Sequence, residues 1–206
     1  MKMQNNRVYV TSYSMISSLG CNAEETRLSL QSGKQTFVKD ISMDFPYPHF
    51  AQNKFANSDK YIKSSQICLQ LLENIKSSIV NLQNLPVFLA SSTGGIRETE
   101  LAYNNLNGYP LFDRHFYNTV SRDIKSVYPN LNQTMTFSTA CSSAGHGIYH
   151  AFNLMKAGVI SKALVIGYDV LSWTTNVGFD SLKLVSHTGT KPLTMERDGI
   201  SLGDGG

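Results

Sequence analysis

A chain of 206 residues with 18 basic and 15 acidic side chains carries a formal charge of +3 at pH 7, with its basic residues scattered rather than clustered. That is too little for a nucleic-acid-binding surface. The hydrophobic fraction of 41% and charged fraction of 16% are those of a soluble globular protein with ample chain for a core. Three cysteines, Cys21, Cys68 and Cys141, odd in number and far apart, suggest neither a disulfide framework nor a zinc site and fit a reducing cytoplasm. Met1 to Val10 is polar and lacks the apolar region of a signal peptide. No run approaches the ~18 consecutive apolar residues of a membrane span.

Strand and helix signals alternate along the chain, which predicts α/β construction with a largely parallel sheet. Arg7 to Ser12 reads as a first strand. Asn22, with Glu25 three residues on, resembles a capping box and starts a helix through about Leu30 that Gly33 ends. Lys34 to Asn57, with Pro46, Pro48 and many polar residues, reads as an irregular surface excursion. Ser58 or Asp59 can cap the next helix, where Ile62, Cys68, Leu71, Leu72, Ile75 and Ile79 recur at helical spacing and assign Cys68 to core packing.

Pro86 to Ala90 fits a buried parallel strand. Ser91-Ser92-Thr93-Gly94-Gly95 then opens a helix with Glu98 and Glu100 in its early turns, where the helix dipole favours them. Loops at such strand ends are where open α/β sheets place ligands. This one lacks the lysine and hydroxyl of a P-loop, and its composition equally fits plain turn chemistry. Asn118 to Tyr128 reads as a helix and Gln133 to Ser138 as a strand. A helix from Ser142 to Lys156, ended by Gly158, and a strand from Lys162 to Gly167 follow. The strand-helix-strand unit has the length a parallel crossover needs.

Cys141 stands where a β-prone run hands over to small residues opening a helix. Two readings fit: one more small buried residue, or a displayed nucleophile. In the second, the amides of Ser142, Ser143 and Ala144 would be unpaired donors facing the sulfur, and the helix dipole would favour a thiolate. His146 and His150, four apart on one helical face, admit a metal pair, but no third ligand is evident and packing or hydrogen bonding is the better reading.

Thr139-Ala140-Cys141-Ser142-Ser143-Ala144, together with Val8 to Tyr13 and Leu19-Gly20, resembles a β-ketoacyl-(acyl carrier protein) synthase of the thiolase-like superfamily. Ser92-Thr93-Gly94-Gly95, Gly178 to Leu182 and Lys191 to Gly205 extend the resemblance in order across nearly the whole chain. Family chains are about twice this long, so residues 1–206 correspond to the amino-terminal half, whether as a fragment or as a chain whose remainder lies elsewhere. The implied fold is a thiolase-like α/β half with a mixed, mainly parallel sheet flanked by helices.

The implied chemistry is acyl transfer to Cys141, with the Cys141 amide as oxyanion donor, followed in the complete enzyme by decarboxylative Claisen condensation. The two histidines this needs, and a glycine-rich loop completing the oxyanion hole, fall outside these residues. Thr93, Ala140 and Phe179 match positions at the acyl pocket. No cofactor or metal is implied; the substrates ride on the phosphopantetheine of an acyl carrier protein. A homodimer or heterodimer with a related subunit, joined along Gln133 to Ser138, is implied as well. Lys191-Pro192-Leu193-Thr194 and Gly167-Tyr168-Asp169 depart from the family's usual residues, as in a specialised polyketide or polyene synthase. A non-catalytic partner subunit and a cysteine thioester hydrolase are the alternatives.

Overall fold

The computed structural model describes residues 7–33, 37–38, 45–56, 58, 60–78, 82–105 and 112–206. Its sheet consists of β1 (Val87–Ala90), β2 (Thr134–Phe137) and β3 (Leu164–Gly167). The strands are parallel, in the order β2-β1-β3 and without offset. Val87 lies opposite both Thr134 and Leu164, and Ala90 opposite both Phe137 and Gly167. All three therefore stop at one level, and the loops that begin at Ser91, Ser138 and Tyr168 leave the sheet side by side. The expected mainly parallel sheet is present, and every strand among the described residues is parallel.

Strand alternation sorts the two faces. Val87, Leu89, Leu164 and Ile166 point into the main core, where they meet Ile67, Cys68, Leu71 and Leu72 of α2 (Lys63–Ile75) and Val120 and Ile124 of α4 (Asn118–Val127). The other face carries α5 (Ser143–Lys156), which packs across all three strands. A Cβ on Gly167 would lie 2.9 Å from the Ala144 Cβ, and one on Gly147 would lie 3.2 Å from Val165 Cγ1. Two glycines thus set the close approach of α5 to the sheet. The outer side of α5 is open, with Ile148, Tyr149 and Phe152 exposed.

The helix α1 (Ala23–Gln31) follows its sequence signal: the Asn22 side chain accepts from the Glu25 N–H, Glu25 accepts in return from the Cys21 N–H, and Gly33 turns the chain with φ +65°. The carboxylate of Asp204 is buried and accepts from Lys63 Nζ (2.7 Å), the Gln52 N–H (2.7 Å) and the Leu171 N–H (2.6 Å). Three distant segments are joined by that one side chain.

Three expectations need correction, and one element was not expected. Residues 7–14 form no strand. Val8 to Ser14 line a cavity of about 460 Å³ together with Ala163 to Gly167, and no backbone ladder joins them to the sheet among the described residues. The described part of the Lys34–Asn57 excursion is irregular but not superficial: Phe45, His49, Ala51, Gln52 and Phe55 are buried, and Phe45 stacks on Trp173; residues 34–36, 39–44 and 57 lie outside the described residues. Ser58 does not cap α2. Ile62 occupies the cap position without a side-chain bond, Ser58 closes its own turn with Tyr61, and Asp59 and Ile79 lie outside the described residues. A helix that no pattern announced, α6 (Trp173–Ser181), follows the Tyr168 loop.

Candidate active site

Cys141 sits in the loop between β2 and α5 and is exposed, whereas Cys21 and Cys68 are buried. The residue before it, Ala140, is held at φ +52°, a left-handed conformation that costs a non-glycine residue about 1 kcal/mol or more. The turn closes on itself before the helix starts. The Ser142 N–H donates to the Thr139 carbonyl (3.3 Å) and the Ser143 N–H to the Ala140 carbonyl (3.0 Å). Those two amides are thus committed to the turn rather than free to face the sulfur, because the chain already coils in the residues ahead of α5. The Cys141 N–H itself donates to no acceptor among the described residues.

The Ala140 carbonyl is heavily bonded. Besides the Ser143 N–H it receives the Ser143 hydroxyl (2.6 Å) and the Ser92 hydroxyl (3.1 Å). Ser143 is buried and ties the turn to the β1 loop a second time, through the Ser91 carbonyl at 3.2 Å. Tyr117 closes the far side. Its hydroxyl donates to the Ser92 carbonyl (3.2 Å) and accepts from Ser138 (2.8 Å), and its ring lies where a Cβ on Gly94 would be, 2.9 Å away. The φ of Gly94, +58°, and that contact together explain a glycine there.

Thr93 is half-buried in the β1 loop, and its hydroxyl donates to Asp169 Oδ1 (3.0 Å). Ala140 is exposed and adjoins Cys141. Phe179 is half-buried on α6, its carbonyl accepting from the Leu184 N–H at 3.1 Å. Among the described residues no hydrogen bond or ring contact joins Phe179 to the Cys141 turn. Cys141, Ala140 and Thr93 thus belong to one loop cluster at the strand ends.

The thiol of Cys141 has no hydrogen-bond partner among the described residues, an imidazole included. His146 Nδ1 is instead 2.6 Å from Thr139 Oγ1, and His150 packs against the rings of Phe88 and Phe137. The hydrogen bonding and packing expected of this pair are what occur, and no cluster of metal-ligating side chains exists among the described residues. Nor is any helix among them long and apolar enough to cross a membrane.

Sequence reasoning passed over Asp169, Tyr117 and the Ser92 hydroxyl as parts of the site, and placed Ser143 there through its amide rather than its hydroxyl. Asp169 registers in the sequence only as a departure from the usual Gly-Gly. The available signal was an acidic side chain two residues beyond the end of β3, level with the small-residue loop after β1.

Residues 63–206 match the family described as "Beta-ketoacyl synthase, N-terminal domain". The 3-oxoacyl-[acyl-carrier-protein] synthase 1 of Buchnera aphidicola is 24% identical over 97% of this chain and 58% of its own length. Among solved structures, a ketosynthase (ApeO) in complex with its chain length factor (ApeC) from Xenorhabdus doucetiae superposes with a TM-score of 0.77 at 23% identity, over 96% of this chain and 55% of that one. The ishigamide ketosynthase/chain length factor gives a TM-score of 0.69 at 18% identity, over 95% and 56% of the two chains. The chain spans a little over half the length of these proteins. With that match, and with a parallel sheet whose strand ends gather around Cys141, the chain belongs to the β-ketoacyl synthase family and has its thiolase-like fold.

Proposed function

We propose that this chain is the acyl-accepting half of a β-ketoacyl-(acyl carrier protein) synthase, with Cys141 as nucleophile. The observation that carries this reading is the Cys141 turn: the exposed thiol of the three cysteines stands at the strand ends beside an amide that donates to nothing among the described residues. In the first half-reaction the Cys141 thiolate attacks the carbonyl of an acyl group held as a thioester on the phosphopantetheine of an acyl carrier protein. The oxyanion accepts from the Cys141 N–H, and collapse expels the phosphopantetheine thiol, leaving the acyl group on Sγ.

In the second half-reaction a malonyl thioester loses carbon dioxide. Its carbanion attacks the acyl-cysteine carbonyl and the Cys141 thiolate departs, yielding the β-ketoacyl product. These bonds balance without a redox cofactor. In this reading two histidines of the complete protein serve decarboxylation and condensation, and Thr93, Ala140 and Phe179 border the acyl chain of a fatty acid, polyketide or polyene intermediate.

The carrier protein is one partner of the complete protein. A second synthase-type subunit is the other, as homodimer or heterodimer, since β2 is the edge of the described sheet and offers a free strand side for pairing. Heterodimers of a ketosynthase with a chain length factor among the structural neighbours support the heterodimeric form. Retention of Cys141 speaks for the catalytic subunit rather than a chain-length partner. A cysteine hydrolase needs an imidazole on the thiol, and His146 is bonded to Thr139 instead.

Intact-mass measurement of the full-length protein after incubation with an acyl-carrier-protein thioester tests this reading. One acyl mass on the peptide containing Cys141 is expected, together with no β-ketoacyl product from residues 1–206 alone. No mass gain would assign the partner role. Rapid release of free acid, abolished by His146→Ala, would assign the hydrolase.

A further inference from the structure

We infer that Asp169 and Ser92 are positioning residues that aim the Cys141 amide; the inference rests on Cys141 being the nucleophile and goes on to identify what orients its oxyanion donor. Asp169 lies just past β3, and its backbone is fixed on both sides. Its N–H donates to the Gly205 carbonyl (3.0 Å) and its carbonyl accepts from the Gly205 N–H (3.0 Å). From that fixed point the carboxylate accepts from three consecutive residues of the β1 loop. They are the Ser91 hydroxyl (2.8 Å), the Ser92 N–H (3.0 Å to each oxygen), and the N–H (3.1 Å) and hydroxyl (3.0 Å) of Thr93. Successive backbone amides curled around an anion form a nest, and bonds to an ionised carboxylate are among the stronger ones.

This arrangement points the Ser92 side chain across to the Cys141 turn, where its hydroxyl donates to the Ala140 carbonyl at 3.1 Å. The Ala140 carbonyl and the Cys141 N–H belong to one planar trans peptide, so they point in opposite directions. Holding the oxygen fixes where the N–H is aimed. Ser143 holds the same oxygen from within the turn. Ser92 is the anchor from outside it, and Asp169 is what immobilises Ser92. Together these bonds offset the cost of φ +52° at Ala140, which a loosened peptide plane would relax.

The test compares two reactions of the same thiol in the full-length protein. Acyl transfer from a thioester builds up an oxyanion; alkylation by iodoacetamide displaces iodide and does not. Ser92→Ala should slow acylation of Cys141 by about 10- to 100-fold through misaimed donation, while its alkylation rate, and the pH profile of that rate, stay at wild-type values. Ser92→Thr, which keeps the hydroxyl, should restore acylation. Asp169→Asn, which turns a donor toward the loop amides, should reproduce the Ser92→Ala pattern. Variants acylated at the wild-type rate would overturn this inference alone, as would equal losses in both reactions. A wild-type protein that takes up no acyl group would overturn the nucleophile reading along with it.

Discussion

Cys68 and Cys141 carry the same side chain, but one lies on the α2 face of the three-stranded sheet and the other in the loop at its strand ends, just ahead of the helix that covers the opposite face. Cys68 is in the middle of α2, on the stripe that packs against Val87 and Leu89, and has no exposed surface. Burial pushes its thiol far above the usual range, so it stays protonated and serves as a small apolar filler. Cys141 precedes the first turn of α5, where the chain is still in loop conformation and the thiol meets solvent. Position along a helix thus decides exposure in this chain: mid-helix, Cys68 is spent on packing, and just ahead of a helix Cys141 stays accessible. The α2 face should therefore fail by unfolding and the Cys141 turn by losing reactivity.

The largest expected effect separates the two thiols. Cys141→Ala should abolish acyl uptake while circular dichroism and melting temperature stay close to wild type. Cys68→Ala should keep acyl uptake in the folded protein. Native-state alkylation followed by peptide mapping should label Cys141 and reach Cys68 only after denaturation. Labelling of Cys68 in the native protein would erase the contrast.

Next in size is the buried pair on the α2 side. Lys63→Met strands the Asp204 carboxylate among backbone amides, and breaking a buried pair in this way costs about 3–5 kcal/mol. Urea titration should show the loss as a lower midpoint. A midpoint shift below about 1 kcal/mol would mean that the amides of Gln52 and Leu171 suffice to hold the charge.

A smaller change on the opposite face probes how tightly α5 is seated. Gly167→Ala puts a Cβ 2.9 Å from that of Ala144, which should cost about 1–3 kcal/mol and slow Cys141 acylation by moving the helix start. Unchanged stability and acylation would show that α5 shifts freely over β3.

The smallest effect lies on the exposed loop around Asp198. Hydrogen bonds from Ser186, and then from Thr188, lower its carboxyl below the usual range. The stabilisation is therefore complete above the ordinary aspartate value of about 3.9 and is lost as pH falls through the lowered one. Asp198→Asn should flatten that acid limb of the stability curve while leaving acyl uptake intact at neutral pH.

Much of the scaffold was legible because it is written in local patterns. The apolar run Val87 to Ala90 became a strand buried on both faces, the α2 stripe became the main core, and small residues after Cys141 let α5 sit close on the sheet. What escaped is what distant residues decide. The helix α6 reads as Trp-Thr-Thr-Asn-Val with a glycine inside, a poor helix sequence. It is held at its start by Ser172 and by the Glu100 carboxylate, which accepts from the Trp173 (2.8 Å) and Thr174 (2.7 Å) amides. Arg7 to Ser12 has strand-like composition, but a strand needs a partner ladder, and these residues make none with the sheet; Val8 to Ser12 instead line a cavity that β3 also lines. The role of Asp169 depended on amides 76 and 77 positions away converging on one carboxylate, which no spacing rule anticipates.

The level strand ends also bear on how the protein is made. Ser92 reaches Ala140, next to Cys141, and Asp169 only after both parallel pairings have formed, across separations of 48 and 77 residues. Such long-range closures form slowly. The turn around Cys141 therefore gains its outer anchor, the Ser92 hydroxyl held by way of Asp169, only once β3 has docked beside β1.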